Sequence, residues 1–384
     1  MSIYRRKSGR YAVLIDLDAS AAGGRRRRSL GTYRTRKEAE HAEREALEAR
    51  DRGIDLSPNS VTVAEVVERF LAEARTRLSP TTTHRYEEVW RLHALPWLGA
   101  LPLAKIRPTH IADVYARLQS APIFHGRPLN PRTVLHVHRL LHRVFGWAER
   151  RNLIERNIVR AVDPPRPGPS PARALTGDEA DAFLSLAESH RLYPFFALAT
   201  VTGMRRGEIA ALKWDAFDSE RGVLSVRQAI GDDRQGGYFL KPTKTGRERV
   251  VPLGPIGATA LRRQRAQQAQ EKLAAGEAYC DQGFIFADEI GEPLDLDAPT
   301  RAFKVLARKA GIPWARLHDL RHTAATWALA SGADVRSVSA VLGHSAPSTT
   351  LNVYGHVVAG LQLKAVEAID ATLERARSRR ARGA

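Results

Sequence analysis

The sequence predicts a mainly α-helical protein with small β-sheets, divided into a small α+β N-terminal unit, a helical bundle and a larger mixed α/β region. Three observations predict this. Helix-start signatures of the form Thr-x-x-Glu recur at Thr35/Glu38, Thr62/Glu65 and Thr176/Glu179, each ahead of a helix-forming stretch. Strand-like runs are confined to the N-terminal unit and to residues 222–253. A proline-rich break at residues 163–171 (DPPRPGPSP) separates folded stretches, because proline and glycine there extend the chain and forbid helix.

The N-terminal unit spans residues 1–55. Tyr11–Leu17 (YAVLIDL) reads as a strand, residues 21–24 as a turn and residues 28–33 as a second strand. Thr35 then opens a helix through RKEAEHAEREALEAR. Arg25, Arg26, Arg27 and Arg28 sit at the turn-to-strand edge. Such a run either shields an exposed edge from aggregation or contacts phosphate. Residues 53–60 (GIDLSPNS) read as a connector. The helical region is 61–162. Thr62 caps VAEVVERFLAEA, Ser79-Pro80 starts a helix through Trp90, Pro108 starts one through Leu118, and Asn130-Pro131 starts TVLHVHRLLHRVFGWAERR. The last is apolar on one face and basic on the other. Residues 163–173 are the linker and 174–384 the last domain. It is mainly helical, interrupted by GVLSVRQAI and GYFLKPTKTGRERVVPL, and ends in a basic LERARSRRARG.

Lys and Arg number 60 against 42 Asp and Glu, a net charge of +18. Like charges repel in a compact state, so an excess of this size points to a polyanionic partner, nucleic acid ahead of an anionic membrane surface. The hydrophobic fraction of 43% excludes a disordered chain. A single cysteine, Cys280, excludes an intrachain disulfide framework or cysteine zinc site and fits a reducing, cytoplasmic setting. No stretch approaches the ~20 apolar residues of a membrane span, and the N-terminus lacks a signal-peptide core.

Four segments of the last domain carry candidate chemistry. In TGMRRGE, Gly203 breaks one helix and Arg205 and Arg206 open the next, where amide N–H groups and guanidinium forks attract phosphate; a solvated helix start is the alternative. Lys244 lies beside Thr245-Gly246, read as a hairpin turn, and either reaches over a substrate or is a plain exposed lysine. In LHDLRH, His318 and Arg321 are three apart and share a helical face, which has little packing value; His318 with His322 could instead hold a metal, but no third ligand stands out. His344 in LGH precedes Tyr354 in TTLNVYGH, and a tyrosine in such apolar surroundings is ordinarily a core residue.

Together, TGMRRGE, KTGRERVVPL, LHDLRHTAAT and LGHSAPSTTLNVYGH resemble, in order, the boxes of the tyrosine recombinase family, which includes phage integrases and Xer recombinases. The resemblance covers residues 175–360 well. It implies a catalytic set of Arg205, Lys244, His318, Arg321, His344 and Tyr354. The family's arginine is the first after Thr-Gly-Met, which selects Arg205 over Arg206, and Glu208 resembles a supporting position that orients Arg205. The helical region resembles the family's SAM-like core-binding domain. Residues 1–55 resemble, more weakly, the AP2-like arm-binding domain, which has three strands and a helix; a third strand would lie in the basic N-terminus or at residues 25–28.

The resemblance implies an integrase that cuts and rejoins double-stranded DNA through a 3′-phosphotyrosine, integrating or excising a mobile element, with neither ATP nor a divalent metal as cofactor. A free phenol has a pKa of about 10, so Tyr354 must lose its proton on attack, and His318 is placed by resemblance to take it. Lys244 would protonate the departing 5′-oxygen. Arg205, Arg321 and His344 would hold the charge gathering on the non-bridging oxygens. The family's active assembly is a homotetramer on core and arm sites, with accessory DNA-bending or directionality factors. The alternatives are a Xer-like resolvase, a type IB topoisomerase, or a catalytically silent DNA-binding regulator of the same fold.

Overall fold

The computed structural model describes residues 2–17, 26–51, 61–121, 126–168, 173–232, 237–243, 246, 248–343, 346, 348 and 350–351. The chain divides into two compact units, Met1–Pro169 and Ser170–Ala384.

The first unit opens with an antiparallel sheet of β1 (Ser2–Arg5), β2 (Tyr11–Leu17) and β3 (Arg26–Tyr33), in that order. The third strand is therefore β1, in the basic N-terminus, and β3 begins two residues earlier than the sequence indicated. The register slips between Val13 and Leu14, where Leu30 is passed over and Gly31 adopts φ 128°. Such a bulge sharpens the local twist. Helix α1 (Arg36–Asp51) lies against β2 and β3. Its start is held by the expected reciprocal pair. Glu38 N–H donates to Thr35 Oγ1 at 3.2 Å, and Thr35 N–H donates to Glu38 Oε2 at 3.2 Å. Ala12, Val13, Ala39 and Ala46 supply the buried apolar contacts. The turn at 21–24, Arg25 and the connector 53–60 lie outside the described residues.

The helical bundle comprises α2 (Val63–Arg77), α3 (Pro80–Val89), α4 (Leu95–Leu98), α5 (Pro108–Ser120) and α6 (Pro131–Arg150). Thr62 and Glu65 form the second capping box, and Asn130 Oδ1 accepts from Arg132 N–H at 2.9 Å to start α6. The helix expected to stop at Trp90 continues to Leu98 through one π-turn, Trp90–Ala94. Pro96 has no N–H to donate and its ring crowds the preceding turn. The wider turn, in which Leu95 N–H reaches the Trp90 carbonyl, accommodates it. Val66, Val67 and Leu71 of α2, Ile111, Val114 and Leu118 of α5, and Val137, Leu141, Val144 and Phe145 of α6 form one core. Each such side chain contributes about 1.5–3 kcal/mol by leaving water. Glu73 of α2 ties the bundle to α6, accepting from Trp147 Nε1 at 2.8 Å and from Arg151.

The second unit contains α7 (Gly177–Ala187), α8 (Tyr193–Thr202), α9 (Arg206–Ala210), β4 (Phe217–Asp218), β5 (Val223–Val226), β6 (Gln228–Asp232), β7 (Tyr238–Pro242), β8 (Arg249–Pro252), α10 (Pro255–Ala275), α11 (Asp297–Lys309), α12 (Asp319–Ala330) and α13 (Val335–Leu342). Thr176 and Glu179 form the third capping box. Helix α8 is apolar all round and buried, with α7, α9, α10 and α12 against it. Its Phe195 and Phe196 join Phe183, Phe286 and Phe303 in the core. Phe183 and Phe303 have ring centroids 4.7 Å apart, and Phe195 meets Phe286 edge-on at 5.3 Å.

The strand region corrects one expectation. Strands β7 and β8 flank Thr245-Gly246 but do not pair with each other. β7 pairs with β6, while β8 pairs with β5 in the sheet β4-β5-β8. Among the described residues β7 and β8 thus belong to different sheets and form no two-strand hairpin, while Gly246 N–H donates to the Thr243 carbonyl at 2.8 Å. A turn-type dipeptide sets a local reversal only, and partner choice falls to the apolar faces of β5 and β8, whose Leu224, Val226 and Val251 are buried. Lys244 itself lies outside the described residues.

Candidate active site

The site forms where α8 ends, α9 and α12 begin and α13 ends. Helix α8 stops at Gly203, which takes a left-handed φ of 61°. A Cβ there would fall 2.6 Å from Leu342 Cδ2 and 3.1 Å from Ala324 Cβ, so only glycine lets α8, α12 and α13 meet this closely. Arg205 follows at the N-cap of α9, and its backbone N–H donates to Glu208 Oε2 at 3.0 Å. Its guanidinium donates to Glu208 Oε1 at 2.8 Å and to the Gly343 carbonyl at 3.2 Å.

Arg321 sits in the first turn of α12, 4% exposed. Its Nη1 donates to the carbonyls of Gly203 and Leu342, each at 2.8 Å. His318 is the residue just before the same helix, at its N-cap position. A cavity of about 360 Å³ is lined by Arg205, Arg206, Arg316, His318 and Arg321 over an apolar floor that includes Phe195, Met204 and Ile209. Three of the six residues expected from sequence, Arg205, His318 and Arg321, therefore share one cavity. The other three, Lys244, His344 and Tyr354, lie outside the described residues.

The electrostatics are those of a cationic pocket. Burial pushes the His318 imidazole down to about 4, and interactions with His322, Arg321 and Arg205 lower it further against the pull of Asp319. The ring is thus neutral at pH 7. His322 stands edge-on to it, ring centroids 5.0 Å apart. Glu208 is 1% exposed. Burial alone would raise its carboxyl, yet hydrogen bonds and charge from Arg249, with the backbone and side chain of Arg205, hold it below the ordinary range. Arg206, the rival to Arg205, reaches the cavity from a different anchorage. Its Nη1 donates to the Leu296 carbonyl, Asp297 Oδ1 and Thr300 Oγ1.

Comparison with known proteins identifies the fold's lineage. The phage integrase family model matches residues 173–360, and the phage integrase N-terminal SAM-like domain model matches residues 62–119. The chain belongs to the phage integrase family of tyrosine recombinases. It is a site-specific DNA recombinase. A XerC-like tyrosine recombinase of Caldanaerobacter subterraneus subsp. tengcongensis is 28% identical, over 88% of this chain and 90% of that protein. An integrase of Streptomyces ambofaciens is 28% identical, over 86% of this chain and 85% of that one. Among solved structures, the Tn1549 transposon integrase in complex with transposon right end DNA aligns with a TM-score of 0.68 at 21% identity, covering 80% of this chain and 100% of that chain. A lambda integrase dimer bound to a COC′ core site aligns with a TM-score of 0.58 at 22% identity, covering 92% and 94%. At such identities the structures establish the fold: a small α+β domain, a SAM-like helical bundle and a mixed α/β domain.

Two features of the candidate site were not singled out in the sequence. Arg316 lines the cavity while its backbone and guanidinium donate to the buried Asp319 carboxylate at 2.8–3.2 Å. Arg249 grips Glu208 from β8. The available signal for Arg249 was slight: an arginine that shares the inward face of a strand with Val251, in RVVP.

Proposed function

We propose that this recombinase performs strand cleavage and rejoining with Arg205, Lys244, His318, Arg321, His344 and Tyr354, Tyr354 being the nucleophile. The observation that carries the reading is the convergence of Arg205, His318 and Arg321 on one cavity from segments more than a hundred residues apart in sequence. A phosphodiester is already anionic, and in-line attack gathers further charge on its non-bridging oxygens. Fixed guanidinium donors at that point stabilise the transition state by roughly 3 kcal/mol each. The neutral imidazole of His318 can accept the phenol proton, and cations nearby favour the phenolate. His344 follows Gly343, whose carbonyl Arg205 holds, so the chain is tethered to the pocket one residue before it.

In this reading Tyr354 displaces a 5′-oxygen and forms a 3′-phosphotyrosine ester. Lys244 protonates the departing oxygen, and the 5′-hydroxyl of a partner strand then reverses the step. Double-stranded DNA is the substrate, contacted at core sites by residues 61–162 and 174–384 and at arm sites by residues 1–55, with a homotetramer as the working assembly. The charge of +18 supports the partner class. The test uses nicked duplexes cut from the direct repeats that flank the element carrying this gene. A covalent protein–DNA adduct resistant to denaturation is expected, and Tyr354→Phe should abolish it with binding retained. Binding without any adduct from the parent protein supports the silent-regulator alternative instead.

A further inference from the structure

The end of helix α13 is held in an unusual way. The last carbonyls of an α-helix have no partner within it and carry the negative pole of its dipole. Here three successive carbonyls each meet a different arginine. Val341 O accepts from Arg249 Nε at 2.8 Å, Leu342 O from Arg321 Nη1 at 2.8 Å, and Gly343 O from Arg205 Nη2 at 3.2 Å. Two of these arginines line the cavity. Arg249 does not: its side chain is 10% exposed and its fork is turned to Glu208, Nη1 to Oε1 at 3.2 Å and Nη2 to Oε2 at 2.6 Å. Both Glu208 oxygens are shared with Arg205, one through the side chain and one through the backbone. Gly343 completes the arrangement. Its φ is 69°, and a Cβ there would lie 2.7 Å from Arg249 Nη1.

From this geometry we infer that Arg249 is a positioning residue for strand cleavage, acting through Glu208 on Arg205 and through Val341 on the chain that leads to His344. The inference rests on the assignment of Arg205 and its partners to the reaction. The physical reason lies in charge and shape. A buried carboxylate paired with Arg205 alone would cancel the charge that Arg205 must present to phosphate. With Arg249 beside it, the cluster of Arg205, Glu208 and Arg249 keeps a net positive charge, and the carboxylate's remaining acceptor sites are filled away from the cavity. A planar fork spreads its donors over three nitrogens and so reaches two carboxylate oxygens and a carbonyl in one fixed geometry, whereas a lysine's three donors radiate from a single nitrogen.

The test compares Arg249→Met, Arg249→Lys and Arg205→Ala in the full chain on the nicked duplexes described above. Single-turnover adduct formation is followed across DNA concentration, with thermal melting as the folding control. Arg249→Met should slow the saturated rate about a hundredfold while the half-saturating DNA concentration stays within about threefold. Arg249→Lys should recover at least tenfold of that loss without reaching the parent rate. A residue of purely structural value would lower melting and active fraction but leave the rate per folded molecule unchanged, and that result would overturn the inference. Should Arg249→Met fail to fold, Arg249→Lys decides alone, and a parent-like rate from it counts against the inference. Arg205→Ala separates the two levels. If it cleaves normally, the site assignment is wrong. If it is inactive while Arg249→Met and Arg249→Lys cleave normally, the assignment stands and the role of Arg249 falls.

Discussion

At the scale of single residues, Arg321 and His318 show how burial and charge conflict in this pocket. Arg321 is a cation with 4% exposure, tolerated because its guanidinium meets the carbonyls of Gly203 and Leu342. Arg321→Ala should reduce saturated cleavage about 10²–10³-fold, the usual loss for one preorganised donor at a developing oxyanion. It should also cost about 1–3 kcal/mol of stability, because two buried carbonyls lose a charged donor. DNA affinity should hardly change, and a filter-binding or fluorescence titration beside the cleavage assay checks the split. His318 makes a pH prediction. Its folded-state value near 4 lies below the 6.5 of an unfolded histidine. Between those values the unfolded chain binds the extra proton, so stability rises with pH through that window and its contribution is lost by about pH 4. His322, His93, His136, His138 and His190 are shifted in the same direction, chiefly by burial. Melting temperature should therefore fall from pH 6.5 towards 4, and His318→Asn should flatten part of that slope but not all of it.

At the scale of elements, caps and corners do most of the placing. Thr176 Oγ1 accepts from Glu179 N–H at 3.1 Å and Glu179 Oε2 from Thr176 N–H at 2.9 Å, which fixes where α7 starts. Thr176→Ala should cost about 1 kcal/mol, read by urea denaturation. The C-terminal end of α13 is more demanding. Gly343→Ala places a methyl in a left-handed residue, at about 1–2 kcal/mol for the conformation alone, and drives it against Arg249. Either α13 or Arg249 must move. The expected result is a loss of cleavage larger than the loss of melting temperature would suggest. A variant that is destabilised but fully active per folded molecule would show that the alignment of α13 is irrelevant to the reaction. Helix propensity and capping were readable for these elements because each depends on residues within one turn. The π-turn at Trp90–Ala94 was not, since proline there signals a stop unless the surrounding core, including buried Trp90, Ala94 and Leu98, repays continuation.

At the scale of the whole molecule, the proposed DNA binding turns on the net charge of +18 and on the division into separate units. Each phosphate neutralised releases counterions, so the logarithm of the DNA association constant should fall linearly with the logarithm of salt, by about 0.9 for each contact. Removing residues 1–55 should shallow that slope on a full attachment site and impair recombination between full sites, while cleavage of an isolated core site survives. Unchanged recombination by the truncated chain would remove the arm-binding role from the N-terminal sheet and α1. The composition announced the anionic partner, and the three capping boxes, the starts of the bundle helices and the strand-rich stretch could be placed from sequence to within a few residues. So could the candidacy of Arg205, His318 and Arg321, because their motifs are short and ordered. The sequence by itself determined those features, since a cap, a helix face or a net charge is settled by residue types a few positions apart. Only the tertiary structure decided that β8 pairs with β5 and not β7, and that Glu208 takes a second arginine from 41 positions away. It alone set three arginines on three successive carbonyls. Such choices depend on which side chains meet after burial, and a buried carboxylate or carbonyl accepts whichever donor the packed core brings within about 3 Å.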